Sequence, residues 1–288
     1  MRQTQNNHKR RHTMNLPISV WSEALSGLTP EEKIDAFLSL GYTCTELSDE
    51  DGFRLLERGR GVTVGREYRR LADAKGFSFS QGHLWLRADI TAGDEAIDAL
   101  KNWLDLFSEL GIRSAVLHTT GDNELPDEVL FEKRVRALET LTRYIKGSDV
   151  TICLENLRSK KMACTAEQLN AMIDAVGDEN LGICLDTGHL NFSASYGLGE
   201  SQADFIRCAG KRLKALHIDD NDGTADQHRL PGRGTVNWQE VMSALAEVGY
   251  DRLFNLEIPG EFGGLSMDAR FEKLRLAKTI SENLLKMA

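Results

Sequence analysis

The heptapeptide "VTICLEN", Val150 to Asn156, is a short apolar run that ends in a carboxylate and an amide. Successive strand residues face opposite ways, so Thr151, Cys153 and Glu155 share one face while Ile152 and Leu154 share the other. Small residues on one side and Leu or Ile on the other suit a strand with a crowded interior beneath it and helices above it. Three later runs repeat the pattern. In "LGICLD", 181–186, Asp186 groups with Cys184 and Gly182; in "LKALHI", 213–218, His217 groups with Ala215; in "LFNLEI", 253–258, Glu257 groups with Asn255. Four earlier runs complete the series: "PISVW" at 17–21, "TCTELS" at 43–48, "FSFSQGH" at 77–83 and "SAVLH" at 114–118.

Longer amphipathic segments lie between these runs, among them "PEEKIDAFLSLG", "DEAIDALKNWLDLFSELG", "EVLFEKRVRALETLTRYIKG" and "NWQEVMSALAEVG". Several begin after Pro, Thr or Asp and end at Gly, as helix capping prefers. Eight strand–helix units in 288 residues predict an α/β protein folded as one (β/α)₈ TIM barrel over residues 15–288. The competing arrangement is an open doubly wound sheet. It would be expected to carry GxGxxG, or GxxxxGK with Ser or Thr, after a strand, and neither motif occurs there. In a closed barrel the polar strand ends converge at the carboxyl-end mouth, where such barrels keep their active sites.

Residues 1–14 are polar and basic with no apolar stretch behind them, which reads as a disordered tail rather than a secretory signal. No run is long enough to span a membrane. Five cysteines without a CxxC pair suit a reducing compartment, and the expected location is cytoplasmic. A net charge of -9 argues against a nucleic-acid partner held through phosphates, which needs a basic surface.

"ALHIDDNDGTADQH", Ala215 to His228, has the density of acids expected of a calcium loop, but the register fails. With Gly223 at the sixth position, Ile218 would stand where the first aspartate belongs and Arg229 where a bidentate glutamate belongs. The histidines point elsewhere. Of seven, two lie in the tail, and His83, His118, His189, His217 and His228 all fall at a strand end or just beyond one. Glu155, Asp186, His217 and Glu257 end strands five to eight. Independent solvation gives no reason for nitrogen and oxygen donors to cluster in this way, so a metal site is expected there. Three carboxylates and one imidazole suit Mn²⁺ first, with Mg²⁺, Co²⁺ and Zn²⁺ also compatible. His83, His118, His189, Asp226 and His228 are candidates for further ions or for substrate hydroxyls. Asp219, Asp220 and Asp222 read as turn and supporting residues. Arg233 could meet a phosphate or carboxylate or pair with a local acid, and Trp21 and Trp85 could stack on a sugar or simply pack the rim.

The pieces "TELSDE", "CLENL", "CLDTGH", "LHIDDNDG", "DQHRLPGRGTVNW" and "NLEIPG" together resemble the xylose isomerase-like barrel superfamily, particularly its sugar (phosphate) isomerase/epimerase branch. That resemblance implies a divalent metal on Glu155, Asp186, His217 and Glu257. It also implies that the two glutamates act as acid/base groups on opposite substrate faces, with His189 contacting a substrate oxygen. The implied reaction removes a proton next to a carbonyl through a metal-stabilised cis-enediolate. His228 departs from the better-known ketose epimerases, where an arginine stands. The same superfamily includes the endonuclease IV type, whose three zinc ions attack phosphodiesters of abasic DNA. Its larger ligand set would fall on His83, His118, Glu155, Asp186, His189, His217, Asp226, His228 and Glu257. A barrel that binds a sugar or metal without turnover is the third alternative, against which the Glu155/Glu257 pair speaks. The expected partner is a small sugar or sugar phosphate. A homo-oligomer is compatible with the apolar stripe of the last helix, "DARFEKLRLAKTISENLLKM".

Overall fold

A computed structural model describes residues 13–288. The proposed tail therefore lies, except for its last two residues, outside the described residues. Among the described residues eight strands form where the apolar runs stand: β1 (Ile18–Val20), β2 (Cys44–Leu47), β3 (Ser78–His83), β4 (Ser114–Leu117), β5 (Thr151–Glu155), β6 (Leu181–Asp186), β7 (Leu213–His217) and β8 (Phe254–Leu256). Ten α-helices among the described residues alternate with them: α1 (Pro30–Ser39), α2 (Asp49–Leu56), α3 (Gly61–Ala74), α4 (Asp94–Leu110), α5 (Asp127–Tyr144), α6 (Ala166–Val176), α7 (Thr187–Ser195), α8 (Gln202–Ala209), α9 (Trp238–Val248) and α10 (Met267–Leu285). Strands β2 to β7 make one parallel sheet in sequence order, and β1 pairs with β8. Single parallel bridges, Trp21 to Glu46 and Ile218 to Leu256, join the two sheets and close the TIM barrel.

Local chemistry sets the helix starts. Thr29 and Thr165 form capping boxes with Glu32 and Gln168 ahead of α1 and α6. After β2 and β6 the chain makes two helices before the next strand, so the crossovers at those positions are longer than the simple strand–helix rhythm predicts. Helix α10 buries Leu274, Ala277, Leu284 and Leu285 as part of the main apolar cluster, and Met14 N–H donates to Leu285 O (2.9 Å). Its apolar stripe thus covers this chain's own barrel. Among the described residues no helix is long and apolar enough to cross a membrane.

The barrel interior is small and partly polar, as the alternation predicts. Val116, Cys153, Cys184 and Ala215 form a buried cluster of their own. Below them Ser19 donates to Asn255 Oδ1 (2.7 Å) and Ser114 to Lys214 O (2.9 Å). The main apolar core lies outside, between strands and helices. Helices α3 and α4 pack most closely because Gly61 and Gly65 leave room: a Cβ at Gly65 would stand 2.6 Å from Leu106 O. Gly65→Val should therefore lower stability by about 1–3 kcal/mol through overpacking. Urea unfolding checks this, with Thr63→Ala on the exposed side of α3 as a near-neutral control.

Candidate metal centre at the barrel mouth

The carboxyl ends of the strands line a cavity of about 460 Å³. Glu155, at the end of β5, is its chemical focus. The carboxylate is fully buried and lies among four imidazoles: His118 Nε2 at 3.1 Å and His83 Nε2 at 3.5 Å from Oε2, His189 Nδ1 at 3.3 Å and His217 Nδ1 at 3.4 Å from Oε1. Asp186, at the end of β6, caps α7 by accepting the His189 N–H (2.6 Å), which leaves its other oxygen unpartnered. Glu257, one residue beyond β8, brings Oε2 to 3.0 Å from His217 Nδ1.

Most of the imidazoles are held by one nitrogen so that the other faces the cluster. A backbone carbonyl can only accept, so His83 Nδ1–H donates to Leu84 O (2.7 Å) and His228 Nδ1–H to Glu257 O (3.2 Å). His189 Nδ1 likewise faces Asn156 O at 3.0 Å. The free Nε2 atoms of His189 and His228 then reach Asp226, at 3.4 and 3.1 Å.

Among the described residues five overlapping donor sets have their ligand atoms within 4.8 Å of one another, and three of them hold all the sequence candidates: His83, His118 and Glu155; Glu155, Asp186, His217 and Glu257; His189, Asp226 and His228. Glu155 belongs to two of these three. Every metal-ligand candidate read from the sequence is thus brought into one cluster. Buried atoms with no hydrogen-bond partner point into it, namely Glu155 Oε1, Asp186 Oδ2, Asp226 Oδ1 and His217 Nδ1. Buried polar atoms are ordinarily satisfied, so orphans gathered at one place fit cation ligands. The donor set with three carboxylates suits a hard ion, and the two sets with paired imidazoles suit zinc.

Substrate-contact candidates divide. Trp21 lines the cavity with Asp49, Glu50 and Arg158. Trp85 instead packs edge-on against Phe53, away from that lining, and Arg233 is held by Glu261 at 2.6 Å. The long loop after β7 bears out the turn reading for two aspartates. Asp220 accepts from Asn221 N (2.9 Å), Val236 N (3.1 Å), Gly232 N (2.9 Å) and Trp238 Nε1 (3.1 Å). Asp222 caps the turn at Thr224 N (3.0 Å).

Two acids have a larger place than the sequence reading gave them. Asp219 is fully buried with both oxygens unpartnered, near Asp186 and His228. A side chain at Gly188 would collide with it, which explains the glycine of "DTGH". Glu46, in β2, meets His217 from below (3.0 Å). Alternation was the available signal: Asp219 stands two residues after His217, and Glu46 two after Cys44.

Electrostatics follow from this crowding. Burial opposes ionisation of Glu155, but the charges of His217 and His118 outweigh it and hold the carboxyl well below its ordinary range. Glu257 is brought down to about 2 in the same way, chiefly by His217. For Asp219 burial dominates, reinforced by Asp186, and pushes the carboxyl well up. Burial favours neutral imidazoles, yet Glu155 raises His83 to about 9, and acidic neighbours raise His189, His217 and His228 well above the usual value. His118 is the exception, lowered by burial.

Comparison with known proteins agrees with the fold. Residues 34–276 match the family described as the xylose isomerase-like TIM barrel, and the chain belongs to it. It is 32% identical over 121 residues to the D-psicose 3-epimerase of Enterocloster bolteae, covering 41% of this chain and 36% of the relative. It is 28% identical over 148 residues to the probable endonuclease 4 of Ureaplasma parvum, covering 47% of this chain and 48% of the relative. The chain thus spans half or less of the length of these two relatives. The crystal structure of D-psicose 3-epimerase with D-tagatose from Clostridium cellulolyticum superposes with a TM-score of 0.77, covering 94% of this chain and 99% of that one; at 18% identity this is a likeness of fold.

Without metal, the raised imidazoles carry protons that an incoming ion must displace. Affinity for Mn²⁺ or Zn²⁺ should therefore increase as pH rises from about 6 towards 9, the value to which His83 is raised. Titration calorimetry in buffers of different ionisation enthalpy should register proton release. Binding that is independent of pH would contradict the protonated cluster.

Proposed function

We propose that the protein is a divalent-metal-dependent sugar isomerase or epimerase that moves a proton next to a carbonyl. The observation that carries this reading is the pairing of Glu155 and Glu257 on the wall of one cavity, both present as carboxylates. Glu155, Asp186, His217 and Glu257 would hold the ion, with Mn²⁺ as the first candidate. When bound, it would supply positive charge opposite the developing enediolate. One glutamate takes the proton, and the other, or the same group at the neighbouring carbon, returns it. His189, which faces Asp226, would meet a substrate oxygen. The D-psicose 3-epimerase relatives support a ketose substrate.

An unphosphorylated sugar fits better than a sugar phosphate. Arg158, the cavity's arginine, is 3.1 Å from Asp226; Arg233 is bound to Glu261; and Asp49 and Glu50 make the rim acidic. Trp21 offers the sugar a wall. All five cysteines are free, which suits the cytoplasm as the place of action.

The second reading is a phosphodiesterase of the endonuclease IV kind. The two additional donor sets around His83/His118 and His189/Asp226/His228 favour it, as does the endonuclease relative. Metal analysis separates the two. One Mn²⁺, Mg²⁺ or Co²⁺ per chain supports the isomerase; two or three zinc ions would make abasic-site DNA cleavage the next assay.

The direct test is deuterium exchange. The Mn²⁺-loaded protein in deuterium oxide should label the carbon next to the carbonyl of at least one ketopentose or ketohexose. Glu155→Gln and Glu257→Gln should each lower that rate by a factor of about 10² to 10⁴. Near-normal exchange in either variant would sink the mechanism.

A further inference from the structure

Glu46 lies beneath the centre, fully buried, and does not line the cavity. Its Oε2 is the meeting point of three side chains from three other strands: His217 Nε2 of β7 at 3.0 Å, Asn255 Nδ2 of β8 at 2.9 Å, and Gln81 Nε2 of β3. The orientation of both amides is fixed by further bonds. Gln81 Nε2 also donates to Leu216 O (3.1 Å), and Asn255 Oδ1 accepts from Ser19 Oγ (2.7 Å). The backbone is arranged for this junction. Pairing of β2 with β3 runs Thr45 to Phe79 and then Glu46 to Gln81, so the extra residue Ser80 forms a bulge that sets Gln81 beside Glu46.

The consequence falls on His217. With Glu46 accepting at Nε2, a hydrogen stays on that nitrogen, and Nδ1 is the atom directed upward, open to a cation once its own proton is displaced. Nδ1 makes no hydrogen bond, although Glu257 Oε2 is 3.0 Å and Glu155 Oε1 3.4 Å away. Nδ1 thus faces the same carboxylates with which it would share an ion. Histidine ligands generally owe their orientation and basicity to such a carboxylate on the far nitrogen.

We infer that Glu46 is a positioning residue that presets His217 to bind a divalent cation through Nδ1, together with Glu155, Asp186 and Glu257. The inference rests on the metal reading of that site but not on any sugar chemistry. Glu46→Gln isolates the effect. An amide oxygen in place of Oε2 still accepts from His217, Asn255 and Gln81, so the three bonds are kept while the carboxylate is replaced; the new amide nitrogen takes the place of Oε1, which has no partner. Glu46→Leu, by contrast, strands three buried donors and should unfold more readily.

The test measures metal binding rather than turnover. Chelator competition with Mn²⁺ and Zn²⁺ should show the affinity of Glu46→Gln reduced about 10–100-fold, while thermal unfolding of the metal-free variant stays within a few degrees of wild type. Long-range proton–nitrogen correlation spectra of the Zn²⁺-loaded wild type should show His217 ligated through Nδ1 and carrying its hydrogen on Nε2. Wild-type affinity in Glu46→Gln, or ligation through Nε2 in the wild type, overturns the inference. A wild-type protein that takes up no ion overturns the metal centre with it. Metal uptake without deuterium exchange would sink only the isomerase reading.

Discussion

The structure turns on a single buried carboxylate. Glu155 has no solvent exposure, yet it is approached by His83, His118, His189 and His217 within 3.5 Å. A carboxylate in such a place is tolerable only if charge or hydrogen bonds compensate for the lost water. Each of these imidazoles comes from a different strand end or the helix start beyond it. The compensation therefore requires a closed barrel with its strands in register. A flat, open sheet would keep β4 beside β5 but carry the ends of β3 and β7, each two strands from β5, away from Glu155. In this sense the site and the fold specify one another.

Barrel interiors are usually filled by branched apolar side chains. Here the layer under the site is made of Val116, Cys153, Cys184 and Ala215, small enough to let longer polar side chains enter from both ends. Beneath it, Glu46, Gln81, Asn255 and Ser19 form a connected hydrogen-bonded floor. Above it stand the imidazoles and carboxylates. His217 spans the two layers, with one nitrogen in each. The cost of burying polar groups in a barrel core is offset because they satisfy one another. Most of the atoms left over belong to the site, among them Glu155 Oε1, Asp186 Oδ2, His217 Nδ1 and Asp226 Oδ1.

Much of this was legible in the sequence, for a definite reason. Period-two alternation in "VTICLEN", "LGICLD" and "LKALHI" told which side chains face inward, and closure of the barrel brought Glu155, Asp186, His217 and Glu257 together without knowledge of any distance. His83, His118, His189, Asp226 and His228 were legible as candidates, but their division into three donor sets was not, because it depends on which nitrogen each ring presents. Glu46 is not singled out by the sequence, and Asp219 reads there only as a turn and supporting residue. "TCTELS" was recognised as a strand, but the bulge at Ser80 that joins Glu46 to Gln81 leaves no pattern in composition. Asp219 was hidden among the turn-forming acids of "DDNDG", two of which do form the turn. Trp85 and Arg233 lie near the mouth in sequence, but packing against Phe53 and pairing with Glu261 take them elsewhere.

His228 shows how one scaffold can lie between two chemistries. Its φ of 42° is in the left-handed region, which costs a residue with a side chain about 1 kcal/mol. The conformation is held from both sides, by the paired bonds between Asp220 and Arg229 (2.9 and 2.8 Å) and by the bond from Nδ1 to Glu257 O (3.2 Å). That bond ties the ring to the segment carrying Glu257 and aims Nε2 at Asp226. A ring fixed this way can complete a second cation site with His189, or it can meet a substrate hydroxyl beside the first site. Which of these occurs depends on whether an ion displaces the protons that Asp226 and its neighbours hold on His189 and His228. An ion at that second set would therefore compete with protons at one face of the mouth, with the rest of the barrel unchanged.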